Sequence, residues 1–108
     1  MLYTALRIAE NLERVYREIK AIAPNALVIW ASTTAVNDAY VGTDNATIDI
    51  YNARAAEVMA KFGVPVNDLN AVVKSNIKEY ISNDFLHLSE AGVKACALAV
   101  VDCVKTHI

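Results

Sequence analysis

The chain has 108 residues, 56% of them hydrophobic, with only 3 glycines and 2 prolines, which excludes a disordered chain and favours one small packed domain. Its net charge is −2, and the 10 basic and 12 acidic residues form no basic cluster, which argues against nucleic-acid binding. No apolar run reaches the roughly 18–20 residues of a membrane span, and charged residues interrupt any signal-peptide core near the N-terminus, so we expect a soluble protein without fixing its compartment.

The first predicted elements are a helix and a strand. Residues 4–22 have apolar side chains at helical spacing, on one stripe: Ile8, Leu12, Val15, Ile19 and Ile22. Pro24 and Asn25 end this helix. Leu27–Ala31 is continuously apolar with branched and aromatic residues, which is typical of a strand buried on both faces.

The middle of the chain alternates between loops, helices and a second strand. Residues 32–45 are polar and contain Gly42, so they predict a loop. A helix is expected over 46–62, with Asp44 or Asn45 as its cap and with an inward face of Ile48, Tyr51, Ala55, Val58, Met59 and Phe62. The cap position also makes the sequon Asn45-Ala46-Thr47 more typical of a cap than of a glycosylation site. Val64–Asn67 predicts a short strand, because proline favours a strand start or an edge.

The last third predicts two further helices. A short helix is expected over 69–75, followed by a polar loop, and the final helix runs from Ser89, its N-cap candidate, to Thr106. Helices that alternate with strands indicate an α/β fold with a parallel sheet. The sheet has only two predicted strands, and the open edge of the first would invite pairing with another chain, so we expect a homo-oligomer, at least a dimer.

The two cysteines do not predict a disulfide. Cys96 and Cys103 lie seven residues apart in the last predicted helix, where their Cα atoms would be about 10 Å apart. No His or Cys lies close enough in sequence to complete a metal site, so both thiols are expected to be buried and apolar. No metal and no cofactor are predicted.

Asp84 and His87 are the first candidates for chemistry. An Asp three residues before a His on a loop can hold the imidazole Nδ1, which leaves Nε2 as a general base. The ordinary alternative is that His87 packs at the helix start and Asp84 is a turn residue; the short spacing by itself favours that alternative. The other histidine, His107, is next to the C-terminus and is expected to be inert.

The residues around this pair resemble a known family. Asp-x-x-His-Leu-Ser-x-x-Gly before an alanine-rich helix is similar to the last conserved block of the SGNH (GDSL-type) ester hydrolases. Residues 23–34, then Tyr51-Asn52 with Val58-Met59, and then residues 63–69 also resemble that family, in the same order, and the resemblance covers about residues 5–105. It implies a truncated three-layer, flavodoxin-like parallel sheet corresponding to the family's C-terminal half, in one domain over residues 1–108. It also implies Asp84 as acid, His87 as base, a small acyl-ester substrate and no cofactor.

Two departures from the family pattern affect the expected site. Family members often have Gly after the Asp, whereas this chain has Phe85, which would narrow the loop or shape an acyl-binding wall. The family's Gly-Asp-Ser, oxyanion-hole Gly and Gly-x-Asn-Asp segments are absent, and Asn37-Asp38 does not replace the last of them because it follows the first strand. The nucleophile must therefore come from elsewhere.

Ser32 is the best candidate nucleophile within these residues. It follows the carboxyl end of the first predicted strand, where α/β folds place their chemistry. The alternative is a loop hydroxyl that satisfies local backbone groups, which is the commoner role of such a serine. Two functions follow: an ester hydrolase that uses Ser32 or a serine from another segment, or a non-catalytic, oligomerising remnant of the family.

Overall fold

The computed structural model describes residues 2–108, which form five helices and two short strands. In chain order these are α1 (Leu2–Ile22), β1 (Trp30–Ala31), α2 (Asn45–Lys61), β2 (Val66–Asn67), α3 (Leu69–Lys74), α4 (Ile77–Tyr80) and α5 (Glu90–His107). The strands are parallel, with Trp30 opposite Val66 and Ala31 opposite Asn67. The helices and the two-stranded parallel sheet confirm the predicted α/β fold.

The first strand is shorter and more exposed than predicted. Only two residues of Leu27–Ala31 pair with β2, through bonds from Trp30 N to Pro65 O (3.0 Å) and from Ser32 N to Asn67 O (3.1 Å). Leu27 and Ala31 are exposed, so the expectation of a strand buried on both faces is wrong for this chain. The physical reason is that successive side chains of a strand point to opposite faces: Val28 and Trp30 pack against the cluster around Val58 and Met59, whereas Leu27 and Ala31 lie on the other face and stay exposed.

Three side chains set where the helices begin. Asp44 Oδ1 accepts from Thr47 N at the start of α2, so Asp44 and not Asn45 is the cap. Asp68 Oδ1 accepts from Ala71 N at the start of α3. Ser89 Oγ accepts from Gly92 N at the start of α5, which confirms the predicted N-cap. Each cap satisfies a first-turn N–H that has no partner within its helix.

The apolar side chains form two separate clusters. One joins α1, α2 and the sheet around Val58, Met59 and Val64. The other joins the loop after β1 to α3 and α5 around Ala35, Val73, Ile81 and Cys96. Cys96 and Cys103 are free thiols, as predicted, although Cys103 is only partly buried. Within residues 2–108, no helix is both long and apolar enough to cross a membrane.

The predicted inward stripe of α1 is only partly correct. Leu12 packs against the first cluster, as expected. Val15, Ile19 and Ile22 are exposed instead, because the two-stranded sheet is too narrow to cover the whole helix. The inward face predicted for α2 is confirmed at its four buried positions, Ile48, Ala55, Val58 and Met59.

Candidate active site

A closed loop between α4 and α5 carries both Asp84 and His87. We call residues 82–89 the acid–histidine loop. Its ends are held together by an antiparallel bridge between Ile81 and Leu88 and by the bond from Ser82 N to His87 O (2.8 Å). A second bond, from Asn37 N to Phe85 O (3.0 Å), ties the loop to the segment that follows β1. The loop is therefore fixed at both ends and at its tip.

Asp84 is the centre of the hydrogen bonds in this loop. Its Oδ1 accepts from Leu86 N (2.9 Å), His87 N (2.8 Å) and Ser82 Oγ (2.8 Å). Its Oδ2 lies 2.5 Å from His87 Nδ1. The bond to the His87 side chain, followed by those from the Leu86 and His87 N–H groups and the Ser82 hydroxyl, holds the pKa of the Asp84 carboxyl well below its usual range. Asp84 is therefore a carboxylate at neutral pH.

His87 has one ring nitrogen engaged and one available. Nδ1 faces Asp84, which leaves Nε2 as the nitrogen that can take a proton from a reacting group. The side chain is 75% exposed, so a substrate can reach the ring. A carboxylate that orients one imidazole nitrogen and stabilises the protonated ring is the arrangement a general base needs. Asp84 also has the structural role of a turn residue, because the same carboxylate accepts hydrogen bonds from the backbone of the loop.

Phe85 occupies a backbone conformation that favours glycine. Its φ is +69°, in the left-handed region that side chains with a Cβ adopt at a cost. This explains why glycine suits the position after the Asp, as in the family pattern. Phe85 keeps the conformation because its N–H donates to Ser82 O and its carbonyl accepts from Asn37 N.

The residues after His87 anchor the loop to the body of the protein. Leu88 packs on the second cluster, and Ser89 caps α5 while its Oγ donates to Glu79 O (2.6 Å). Gly92 is buried against α4: a Cβ at this position would lie 2.2 Å from Tyr80 O. Leucine, serine and glycine at these spacings therefore have structural roles that position the Asp84–His87 pair.

Ser32 lies in a different hydrogen-bond network. It is buried, its Oγ donates to Asp68 Oδ1 (2.8 Å), and the same oxygen accepts from Asn70 N (3.0 Å). Among residues 2–108, the structure brings Asp84 and His87 together and gives Ser32 no hydrogen bond to either. Asp68, which caps α3, connects that helix to the end of β1 by accepting from Ser32 Oγ. An Asp directly before a helical segment indicates a helix cap, so the first role could be read from the sequence. No local sequence pattern indicates the contact with Ser32.

A comparison with known protein families finds a match over most of the chain. The model of the GDSL-like lipase/acylhydrolase family matches residues 2–95, a range that includes both Ser32 and the acid–histidine loop. The chain belongs to that family. Membership supports a general acylhydrolase, esterase-like function for this GDSL-like protein. A search of individually curated proteins finds no match. Residues 2–108 of the GDSL-like chain hold no group of three or more His, Cys, Asp or Glu side chains placed to bind a metal ion.

Proposed function

We propose that this GDSL-like protein hydrolyses acyl or acetyl esters, with His87 as general base and Asp84 as the residue that orients it. The observation that supports the proposal is the short Oδ2–Nδ1 contact between the two side chains, with Nε2 left available. The exposed ring and the ionised Asp84 carboxyl agree with this role. The reaction needs no cofactor.

The proposed chemistry proceeds in two halves. His87 Nε2 takes the proton of a serine Oγ as that oxygen attacks the ester carbonyl carbon, and Asp84 stabilises the imidazolium that forms. The imidazolium returns the proton to the leaving alcohol, which yields an acyl-serine. His87 then deprotonates a water that attacks the acyl-serine, and the proton returns to the serine as the carboxylic acid leaves.

The serine in this scheme is proposed to be Ser32 or a serine of another polypeptide segment. Ser32 would have to exchange its bonds to Asp68 and Asn70 for one to His87. A serine from elsewhere would need only to reach the exposed imidazole. We further propose that residues 1–108 form one domain that corresponds to the C-terminal half of a three-layer, flavodoxin-like sheet, which leaves room beside β1 for such a segment.

Substitution of His87 tests the assigned base. We expect His87→Ala to lower kcat/KM for p-nitrophenyl acetate by at least ~10²-fold, the usual contribution of a general base. His107→Ala is the matched control, because it removes an exposed histidine at the end of α5, far along the chain from the loop. Activity retained in His87→Ala would overturn the assignment, whereas His107→Ala should keep the activity of the unchanged protein.

A fluorophosphonate probe identifies the nucleophile. Stoichiometric labelling that requires His87, with the adduct located by mass spectrometry, supports an enzyme and names its serine. Labelling lost in Ser32→Ala but kept in Ser75→Ala assigns Ser32; Ser75 is the control because it is exposed and its Oγ donates to Val72 O, away from Asp84 and His87. Unchanged labelling in Ser32→Ala excludes Ser32.

The hydrogen bonds of Ser32 favour a second candidate function, a non-catalytic module that keeps the family's fold for assembly. A buried hydroxyl with both a donor and an acceptor partner is satisfied as a structural group. Absence of both labelling and hydrolysis in a folded protein would support the module and contradict the hydrolase.

A further inference from the structure

Ser82 stands at the start of the acid–histidine loop and is hydrogen-bonded to three of its residues. Its N–H donates to His87 O (2.8 Å), its carbonyl accepts from Phe85 N (3.1 Å), and its hydroxyl donates to Asp84 Oδ1 (2.8 Å). The two backbone bonds close the loop whatever side chain stands at position 82. The hydroxyl is therefore the part of Ser82 whose effect on the Asp84–His87 pair can be separated from the shape of the loop.

The two carboxylate oxygens of Asp84 have different partners. Oδ1 accepts from the N–H groups of Leu86 (2.9 Å) and His87 (2.8 Å) as well as from the Ser82 hydroxyl, whereas Oδ2 faces His87 Nδ1. An ionised carboxylate can only accept, so the hydroxyl proton of Ser82 points to Oδ1. Because a carboxylate has about four lone-pair sites on its two oxygens, three donors occupy Oδ1 fully and leave Oδ2 for the imidazole.

We propose that Ser82 is a positioning residue, whose hydroxyl keeps Asp84 Oδ1 occupied so that Oδ2 binds the His87 ring and fixes the imidazole proton on Nδ1. The two N–H donors to Oδ1 belong to residues after Asp84, whereas Ser82 precedes it, so the hydroxyl ties the carboxylate to the other arm of the loop. Without the hydroxyl, the carboxylate keeps its donors on one arm alone and can rotate about its Cβ–Cγ bond. Oδ1 then becomes a second acceptor, open to water and to the ring.

The position of the imidazole proton decides whether His87 can act as a base. With the proton on Nδ1, Nε2 carries the lone pair that accepts a proton; with the proton on Nε2, that nitrogen cannot accept one. The hydrogen bond to the His87 ring has the largest part in lowering the pKa of the Asp84 carboxyl, and the Ser82 hydroxyl also lowers it, so Ser82 stabilises the charged acceptor. Ser82 thus acts on His87 through Asp84 and does not itself touch the reacting nitrogen.

The ring ¹⁵N shifts of His87 in the full chain test this role, because they show which nitrogen carries the proton. Under alkaline conditions that leave the imidazole neutral, we expect the proton on Nδ1 in the unchanged protein. Ser82→Ala should raise the fraction of the Nε2–H tautomer at least ~3-fold, and Ser82→Thr, which restores a hydroxyl, should return it to the original value. Ser75→Ala is the matched control, since it removes an exposed hydroxyl that donates to Val72 O outside the loop.

The kinetic consequence rests on the proposed hydrolase. With p-nitrophenyl acetate, Ser82→Ala should lower kcat roughly 3–10-fold and leave KM unchanged, because the base and not the substrate site is affected. A protein that shows no hydrolysis contradicts the proposed function, whereas the tautomer measurement still decides the role of Ser82.

An unchanged tautomer in a folded Ser82→Ala protein, even one less stable in urea, would show a purely structural serine and overturn the proposal. Ser82→Cys repeats the test should the alanine variant not fold, since it keeps the size of the side chain but donates only weakly. It should shift the tautomer as alanine does, and a cysteine variant with the proton still fixed on Nδ1 would equally overturn the role of the hydroxyl.

Discussion

Phe85 shows how a single backbone conformation connects the loop with its chemistry. Its left-handed φ of +69° lets the chain turn between Asp84 and His87, so that one carboxylate reaches both the backbone and the ring. A residue with a Cβ in this region costs roughly 1–2 kcal/mol relative to glycine. The hydrogen bonds at Phe85 N and O compensate for this cost.

Two substitutions at Phe85 separate the backbone strain from the loss of the aromatic ring. Both Phe85→Ala and Phe85→Gly remove the ring, but only glycine also removes the Cβ. We expect Phe85→Gly to be more stable than Phe85→Ala by about 1 kcal/mol in urea unfolding, the reverse of the usual order. Gly63→Ala is the control, because Gly63 has φ +66° with nothing within 4 Å of the added Cβ, and it should lose a similar amount. An alanine variant as stable as the glycine variant would contradict the strain.

Among the helices and strands, those with a repeating local pattern were predictable. The beginning of α5 at Ser89 and the inward face of α2 follow from capping and periodicity, and the structure confirms both. Helix α4 was missed, since its four residues are too few to show a helical period. The strand at Leu27–Ala31 was predicted too long because strand length depends on a distant partner, β2, which pairs only two residues.

In the candidate site, too, contacts between residues close in sequence could be predicted, and contacts between distant residues could not. Asp84 and His87 are three residues apart, so their contact could be predicted from sequence and resemblance. Ser32 and Asp68 are 36 residues apart, and their bond depends on how β1 and β2 align. Periodicity and spacing describe neighbours in sequence, and they carry no information about that alignment.

The packing of α4 against α5 gives a prediction at Gly92. Alanine is ordinarily better than glycine inside a helix by up to about 1 kcal/mol. Here the added Cβ would meet Tyr80 O at 2.2 Å, and backbone cannot move aside easily. We expect Gly92→Ala to destabilise the protein by about 1–3 kcal/mol in thermal unfolding, because the steric effect exceeds the gain in helix propensity.

Gly42→Ala is the control for this prediction. Its added Cβ would also be crowded, at 2.5 Å, but by the end of the Tyr40 side chain, which can rotate away. We therefore expect a much smaller loss of stability at position 42. A stable Gly92→Ala protein would show that α4 and α5 are not held at the distance seen here.

At the scale of the whole molecule, apolar or backbone groups at three places are left uncovered by residues 2–108: one side of α5 (Val93, Ala97, Val100 and Val104), one side of α1 (Val15, Ile19 and Ile22) and the outer edge of β1. The molecule measures 41 × 36 × 18 Å, and its radius of gyration of 14.8 Å exceeds the roughly 13 Å expected for a compact chain of this length. This flat shape follows from having two separate clusters and only two strands. Packing of another polypeptide segment against any of these three places would make the assembly more compact for its mass.

Amide hydrogen exchange tests whether another strand covers the outer edge of β1. Successive residues of a strand direct their N–H groups to opposite edges, and Trp30 and Ser32 donate to β2. The N–H of Ala31 therefore points to the open edge. Because no strand among residues 2–108 pairs with that edge, we expect Ala31 to exchange at least ~10-fold faster than Trp30 and Ser32. Slow exchange at Ala31 would show instead that a strand from another copy pairs with β1, and NMR spectra recorded after transfer to D₂O resolve the three amides.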